Sequence, residues 1–404
     1  MNQSQADTSF APPSPALQPI LRPVMPELDS LRGIAILAVV FFHEFGFSYG
    51  PHHLSGLARW FVAATMSGWA GVNLFFVLSG FLITGILLDA KGTPDYYRRF
   101  YVRRALRILP AYYTVLILLA ILPRTGMLWH RSVGWPFITL SFFYLSNLVG
   151  LFGVASQYTV LWTLAVEEQF YIAWPAVVRA LSRRGVLAAA IFIVAACPVF
   201  RGALYLTGFN YSVGYTWLVA DGLGAGAILA VLTRERLSER SQMRRFTILC
   251  LLVGIGILVL GAPFGVLRSA TLLGVSLRPT GINITFLGLL SAALLLGSGP
   301  FKWLARRPLL QFFGWISYGL YLIHMMVFDF VDFLISHYFP TAMHSIPARF
   351  DLMILRFAFG MCMAVTIAVL SRIYFEAYFL RLKDRWARSP RSQPQPPVAA
   401  AASR

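Results

Sequence analysis

Long apolar runs separated by short basic loops make up most of this chain. Hydropathy marks eleven apolar segments, centred on 31–49, 70–89, 108–123, 134–152, 160–180, 186–206, 214–233, 247–265, 281–298, 310–336 and 350–378. Runs of about 18 to 25 apolar residues are long enough to cross a bilayer as helices. The segment 134–152 is rich in aromatics and holds Trp135, Pro136, Phe142, Phe143 and Tyr144. Leaving it out as a non-spanning element puts the basic loops 90–107, 182–185, 234–245, 299–308 and 379–404 on one side. The other side then keeps only Arg59, Arg124, Arg131, Arg268, Arg278 and Arg349. Positive charge collects on the cytoplasmic side of membrane proteins, and counting 134–152 as a span would scatter it. The expected fold is therefore an all-α integral membrane protein of about ten transmembrane helices, with both termini cytoplasmic. The segment near 134–152 is expected to be interfacial or re-entrant.

Composition agrees with this reading. The 404 residues are 58% hydrophobic and 12% charged, with a formal net charge of +18, and the mean hydropathy is +0.68. The charge follows the loops, so it speaks for membrane orientation and against nucleic acid. Cys197, Cys250 and Cys362 each stand alone in an apolar run, which suggests neither a metal site nor a disulfide framework. Residues 1–27 are expected to form a disordered cytoplasmic tail, without a cleavable signal peptide. Residues 28–380 form the membrane domain, and 381–404 form a basic, disordered tail.

Ionisable residues inside the spans carry the candidate chemistry, because placing them in a bilayer is costly. Arg32 and His43 lie eleven residues apart on the first span. At about 100° per residue they fall within about 20° of one helix face, separated by roughly 16 Å of rise. Asp29 precedes Arg32 by one turn and can pair with it. Glu167 and Glu168 open the span 160–180 at a depth similar to that of His43. One of them can orient or charge an imidazole, as in acyl-transfer sites, or both can belong to an interfacial belt. His43 can equally be a helix-to-helix hydrogen bond. His324, in the ninth span, is a second candidate histidine, whereas His52, His53 and His130 fall in outer loops without ligand spacing.

The run Arg98-Arg99-Phe100-Tyr101-Val102-Arg103-Arg104-Ala105-Leu106-Arg107 is the densest basic stretch. It suits anionic lipids. It also suits a phosphate-bearing donor such as coenzyme A, because Arg103 and Arg107 share a helix face and guanidinium groups grip phosphate bidentately. In the second span, Gly80 is a packing residue and Ser79 can donate a hydrogen bond to a substrate carbonyl. Asp221, among Gly222, Gly224 and Gly226, is a further buried acid with no partner evident in the sequence.

Five motifs in order make the chain resemble the type-3 membrane acyltransferases, the family of bacterial O-antigen and Nod-factor O-acetyltransferases. They are Leu28-Asp29-Ser30-Leu31-Arg32-Gly33 with ten residues from Arg32 to His43, and Phe75-Phe76-Val77-Leu78-Ser79-Gly80-Phe81. Next come Arg103-Arg104-Ala105-Leu106-Arg107-Ile108-Leu109-Pro110, and Trp162-Thr163-Leu164 with Glu167, Phe170 and Tyr171. The last is Gly314-Trp315-Ile316-Ser317-Tyr318-Gly319-Leu320-Tyr321-Leu322-Ile323-His324. The resemblance implies an O-acetyltransferase of the bacterial inner membrane. Its acyl-CoA (acetyl-CoA) co-substrate would come from the cytoplasm, and its acceptor would be an outward-lying glycan or lipid-linked saccharide. It implies that His43, Arg32, Glu167 and Asp29 form the catalytic set, and that Arg103, Arg104, Arg107 and Ser79 bind the donor, with no metal. Two positions depart from the family pattern. Val219 stands where an arginine often precedes the sixth-span acid, and Glu376 is followed by Ala377 and Tyr378 where Glu-x-Pro is common. A membrane domain followed only by a short tail is expected to finish the transfer itself or to hand its product to a separate protein. A proton-coupled transporter or lipid-glycan flippase is the rival reading, although the two halves of the chain show no internal repeat.

Overall fold

A computed structural model describes residues 20–22, 24–126, 133–208, 214–237, 239–295 and 306–386. The two tail expectations over 1–19 and 387–404, and the outer-loop positions of His130 and Arg131, lie outside the described residues. Among the described residues all regular structure is helical. In chain order the main helices are α1 (Pro26–Phe41), α2 (Gly56–Thr65), α3 (Ala70–Ala90), α4 (Tyr96–Ile121) and α5 (Trp135–Phe142). They continue as α6 (Leu161–Ala180), α7 (Arg183–Leu206), α8 (Thr216–Val219), α9 (Asp221–Glu235), α10 (Arg240–Gly261) and α11 (Leu272–Leu295). The last are α12 (Pro308–Tyr338), α13 (Pro340–Ser345), α14 (Phe350–Leu370) and α15 (Ala377–Trp386). Two wider π-type turns, Phe42–Phe47 and Ser371–Glu376, extend α1 and α14.

Eight of these helical segments are long and apolar enough to cross a membrane, so the chain is a multi-pass membrane protein. The other two expected spans are α6, whose apolar pattern is interrupted by Glu167, Glu168 and Gln169, and the α8–α9 pair, which is broken into helices of 4 and 15 residues. The aromatic segment near 134–152 holds only the eight-residue α5 and a short 3₁₀ turn, Val149–Phe152. At about 1.5 Å per residue α5 cannot cross a bilayer. The Tyr112 hydroxyl bonds the Ser141 carbonyl at 2.7 Å and anchors α5 against α4.

Helices α1, α3 and α12 form the centre, with α9 and α11 packed on α3. Helices α7, α10 and α14 turn large apolar side chains outward, among them Phe192, Leu252, Leu260, Leu355 and Phe359. That is the expected surface of helices facing lipid. Close approach at the centre depends on glycine. A Cβ on Gly33 of α1 would overlap the Leu310 carbonyl of α12, and one on Gly314 of α12 would overlap the Asp29 carbonyl of α1. Gly80 and Gly226 do the same for α3 and α9, against Leu223 and Val77. Such small-residue contacts are how helices associate where lipid is as apolar as their side chains.

The basic loops gather at one end of the bundle. Arg234 pairs with Asp89 at 2.6 Å, the Lys91 ammonium donates to the Leu181 carbonyl and the Arg179 guanidinium to the Lys91 carbonyl, Arg240 reaches the Leu295 carbonyl, and Arg306 pairs with Glu27 at 2.8 Å. This end is referred to below as the basic face.

Candidate active site

Two cavities open from the basic face and share Ile86, Arg104 and Arg107. The outermost, of about 410 Å³, also presents Arg99, Arg103, Asp89 and Thr93. The deeper one, of about 230 Å³, is walled by Arg32 of α1, Ser79 of α3, Glu167 and Tyr171 of α6, and Ser317, Tyr318 and Tyr321 of α12. Helical spacing explains the wall of α4: Arg103, Arg104 and Arg107 sit at i, i+1 and i+4 and line one side of the helix. Arg32, Arg104 and Arg372 all lie close enough to Arg107 for their charges to act on it. The Arg103 Nε is buried with no hydrogen-bond partner among the described residues. Clustered guanidinium groups with an unmet buried donor are chemically suited to an anion of several oxygens, such as a phosphate ester.

Within the deeper cavity the polar groups are tightly tied. Ser79 Oγ donates to Glu167 Oε1 at 2.7 Å, and the Tyr171 hydroxyl donates to Glu167 Oε2 at 3.0 Å. The Arg104 guanidinium lies over the Tyr171 ring, 4.6 Å from its centroid. Arg32 Nη1 donates to Asp29 Oδ1 at 2.7 Å. The structure therefore brings Arg32, Asp29, Ser79, Glu167 and the α4 arginines around one space. The hydrogen bonds of Glu167 go to Ser79 and Tyr171 and not to His43. Glu168 lies one position along α6, with its charge near Tyr112, Tyr113 and Tyr144.

His43 stands farther from the basic face, at the start of the π-type turn that ends α1. Its Nδ1 lies 3.2 Å from Nε2 of His324 on α12. His324 is completely buried, and its Nδ1 is 2.9 Å from the Tyr321 carbonyl and 3.1 Å from the Leu320 carbonyl. Tyr321 connects the two regions. Its ring borders the deeper cavity and lies 6.0 Å from the His324 ring, while its hydroxyl meets Thr163 Oγ1 at 2.6 Å.

One group of buried charge was not singled out from the sequence, and a second gives Asp221, singled out without a partner, the residue that answers it. Beside His43, Glu44 bonds Arg356 of α14 at 3.1 Å, and Arg356 bonds Asp332 of α12 at 2.7 Å. This ionic knot ties the π-type turn to two other helices. Asp221 of α9 meets Arg201 of α7 at 3.0 Å and Thr280 of α11 at 2.7 Å. A buried partner for Asp221 therefore comes from α7, although position 219 is valine. The sequence signal for both groups was an ionisable residue inside an apolar run. Glu376, at the second departure, is buried and pairs with Arg372 at 2.9 Å, and the chain continues as helix α15. His52 and His53 are exposed, and no metal-ligating group is found among the described residues.

Comparison with known proteins agrees with the motif order. The chain is 34% identical to peptidoglycan O-acetyltransferase OatA of Listeria monocytogenes over 169 residues, covering 38% of this chain and 24% of that protein. It is 35% identical to putative peptidoglycan O-acetyltransferase YrhL of Bacillus subtilis over 211 residues, covering 47% and 30%. It is 27% identical to O-acetyltransferase OatA of Staphylococcus aureus over 336 residues, covering 76% and 51%. The chain thus spans about half the length of these relatives or less. No solved structure matches it. The acyltransferase domain family (Acyl_transf_3) matches residues 25–373, which contain both cavities and the histidine pair, and the chain belongs to that family.

Proposed function

We propose that this protein is an O-acetyltransferase of the bacterial inner membrane, with both termini cytoplasmic. It would move an acetyl group from cytoplasmic acetyl-CoA to a hydroxyl of a cell-envelope glycan. The observation that carries this reading is the pair of arginine-lined cavities with Tyr321 in the wall of the deeper one, its ring 6.0 Å from that of His324, which faces His43. Arg103, Arg104 and Arg107 bind the donor's phosphates. The pantetheine arm and thioester enter the deeper cavity, where Arg32, held by Asp29, polarises the thioester carbonyl. Glu167 holds Ser79 and Tyr171 in place and balances Arg104. To donate to the donor carbonyl, Ser79 turns its one hydroxyl hydrogen away from Glu167 when the donor binds. His43 accepts the proton of the acceptor hydroxyl. The oxygen forms a bond to the acyl carbon as the carbon–sulfur bond breaks, and His43 returns the proton to the departing thiolate. The relatives named as peptidoglycan O-acetyltransferases support an envelope glycan as acceptor. A lipid-linked saccharide or exported polysaccharide has the same hydroxyl chemistry.

Mass spectrometry of envelope glycans tests this in a strain lacking the protein, complemented with wild type or His43→Ala. Loss of an O-acetyl increment, restored only by wild type, is the expected result. Unchanged acetylation, with glycan missing from the surface, would overturn it in favour of a flippase.

A further inference from the structure

We infer that Arg99 and Arg103 form a separate subsite for the 3′-phosphate of coenzyme A, so that the outermost cavity tells the complete donor from one lacking that group. This rests on the reading of coenzyme A as donor. Coenzyme A carries two phosphate centres. A pyrophosphate joins the pantetheine arm to the nucleotide, and a separate phosphate sits on the ribose beyond it. The two cavities sort the arginines in the same order. Arg104 and Arg107 line both cavities, at the join, whereas Arg99 and Arg103 line only the outermost one. With the thioester in the deeper cavity, the pyrophosphate falls at the join, and the ribose phosphate falls against Arg99 and Arg103. Arg99, Arg103 and Arg107 recur every four residues on α4, so they form a ridge with roughly 6 Å of rise between neighbours. Arg99 therefore stands roughly 8 to 12 Å of rise beyond Arg104 and Arg107, on the scale of a ribose between two phosphates. Asp89 is the one acidic residue in this wall among the described residues. Arg234 holds both of its oxygens, at 2.7 and 2.6 Å, so Asp89 does not compete for Arg99 or Arg103. The Arg103 Nε is buried without a hydrogen-bond partner among the described residues, and Arg99 is exposed. A phosphate monoester carries roughly two negative charges at neutral pH and three acceptor oxygens, enough to engage both guanidinium groups. Arg98, one position from Arg99, is exposed as well but lines neither cavity.

The test titrates coenzyme A and 3′-dephospho-coenzyme A into the full-length protein in lipid nanodiscs by calorimetry, at one ionic strength. The wild type is expected to bind coenzyme A roughly 10- to 100-fold more tightly than the dephospho form. Arg99→Ala and Arg103→Ala should each bring the two affinities together by weakening coenzyme A alone. Arg107→Ala should weaken both compounds and keep their ratio. Arg98→Ala, with the same loss of charge, should also keep the ratio. Equal affinity of the wild type for the two compounds, or equal weakening of both by Arg99→Ala or Arg103→Ala, would overturn the inference. Binding of neither compound to the wild type would refute the donor reading itself, and the subsite with it. Discrimination that persists in a protein unable to transfer acetyl groups would refute the reaction and leave the phosphate subsite standing.

Discussion

Arg201 of α7 and Asp221 of α9 form a fully buried ion pair at 3.0 Å, with Thr280 and the Ser276 carbonyl of α11 closing around it. Three helices meet at this point. Removing one partner leaves the other charge stranded. Arg201→Ala should therefore cost about 3–5 kcal/mol, read as a lower melting temperature of the purified protein. The double substitution Arg201→Met with Asp221→Leu should cost less, because neither charge remains. If the double variant is as unstable as the single one, the pair is not the source of the effect.

His43→Ala should lower turnover by roughly 10²- to 10⁴-fold while expression and melting temperature stay near wild type. Acetyl-CoA consumption by the purified protein with an acceptor glycan measures this. Normal turnover would remove His43 from the chemistry.

Arg107 lines both cavities, so Arg107→Ala should weaken coenzyme A binding. A charge-assisted hydrogen bond contributes about 1.5–3 kcal/mol, which corresponds to roughly 10- to 100-fold in Kd. Arg107→Lys should recover only part, since an ammonium cannot grip phosphate bidentately. Calorimetric titration of coenzyme A into the protein in nanodiscs checks both. Unchanged affinity in Arg107→Ala would place the donor elsewhere.

Gly33→Ala and Gly314→Ala should each destabilise the bundle, by about 1–3 kcal/mol. Either Cβ overlaps a backbone carbonyl of the facing helix, which has no side-chain freedom to yield. Gly92→Ala, which meets nothing within 4 Å, is the neutral control. Thermal melts of the three variants decide this, and equal stability would mean that α1 and α12 can separate freely.

Much of the architecture could be read from the chain because its cause is local. Apolar run length fixed the helices, and loop charge separated spanning segments from the short α5. The fixed rotation per residue set Asp29 beside Arg32 and put Arg103 and Arg107 on one side of α4. The family motifs mark glycines at helix crossings and polar groups around one cavity.

The partners across helices were not legible in the same way. Ser79 and Glu167 are 88 residues apart, and His43 and His324 are 281 apart. Lipid is as apolar as leucine, so hydropathy states that a helix is buried in a membrane but not which helix lies beside it. Which residue would answer Glu167, His43 or Asp221 was therefore undetermined. Sequence alone determined the spans, the basic face and the residues capable of chemistry. The tertiary structure alone decided that Glu167 serves Ser79 and Tyr171, that His43 faces His324, and that Asp221 is answered by Arg201. Those choices follow from small-residue contacts such as Gly33 against Gly314, which set helix neighbours at atomic distance.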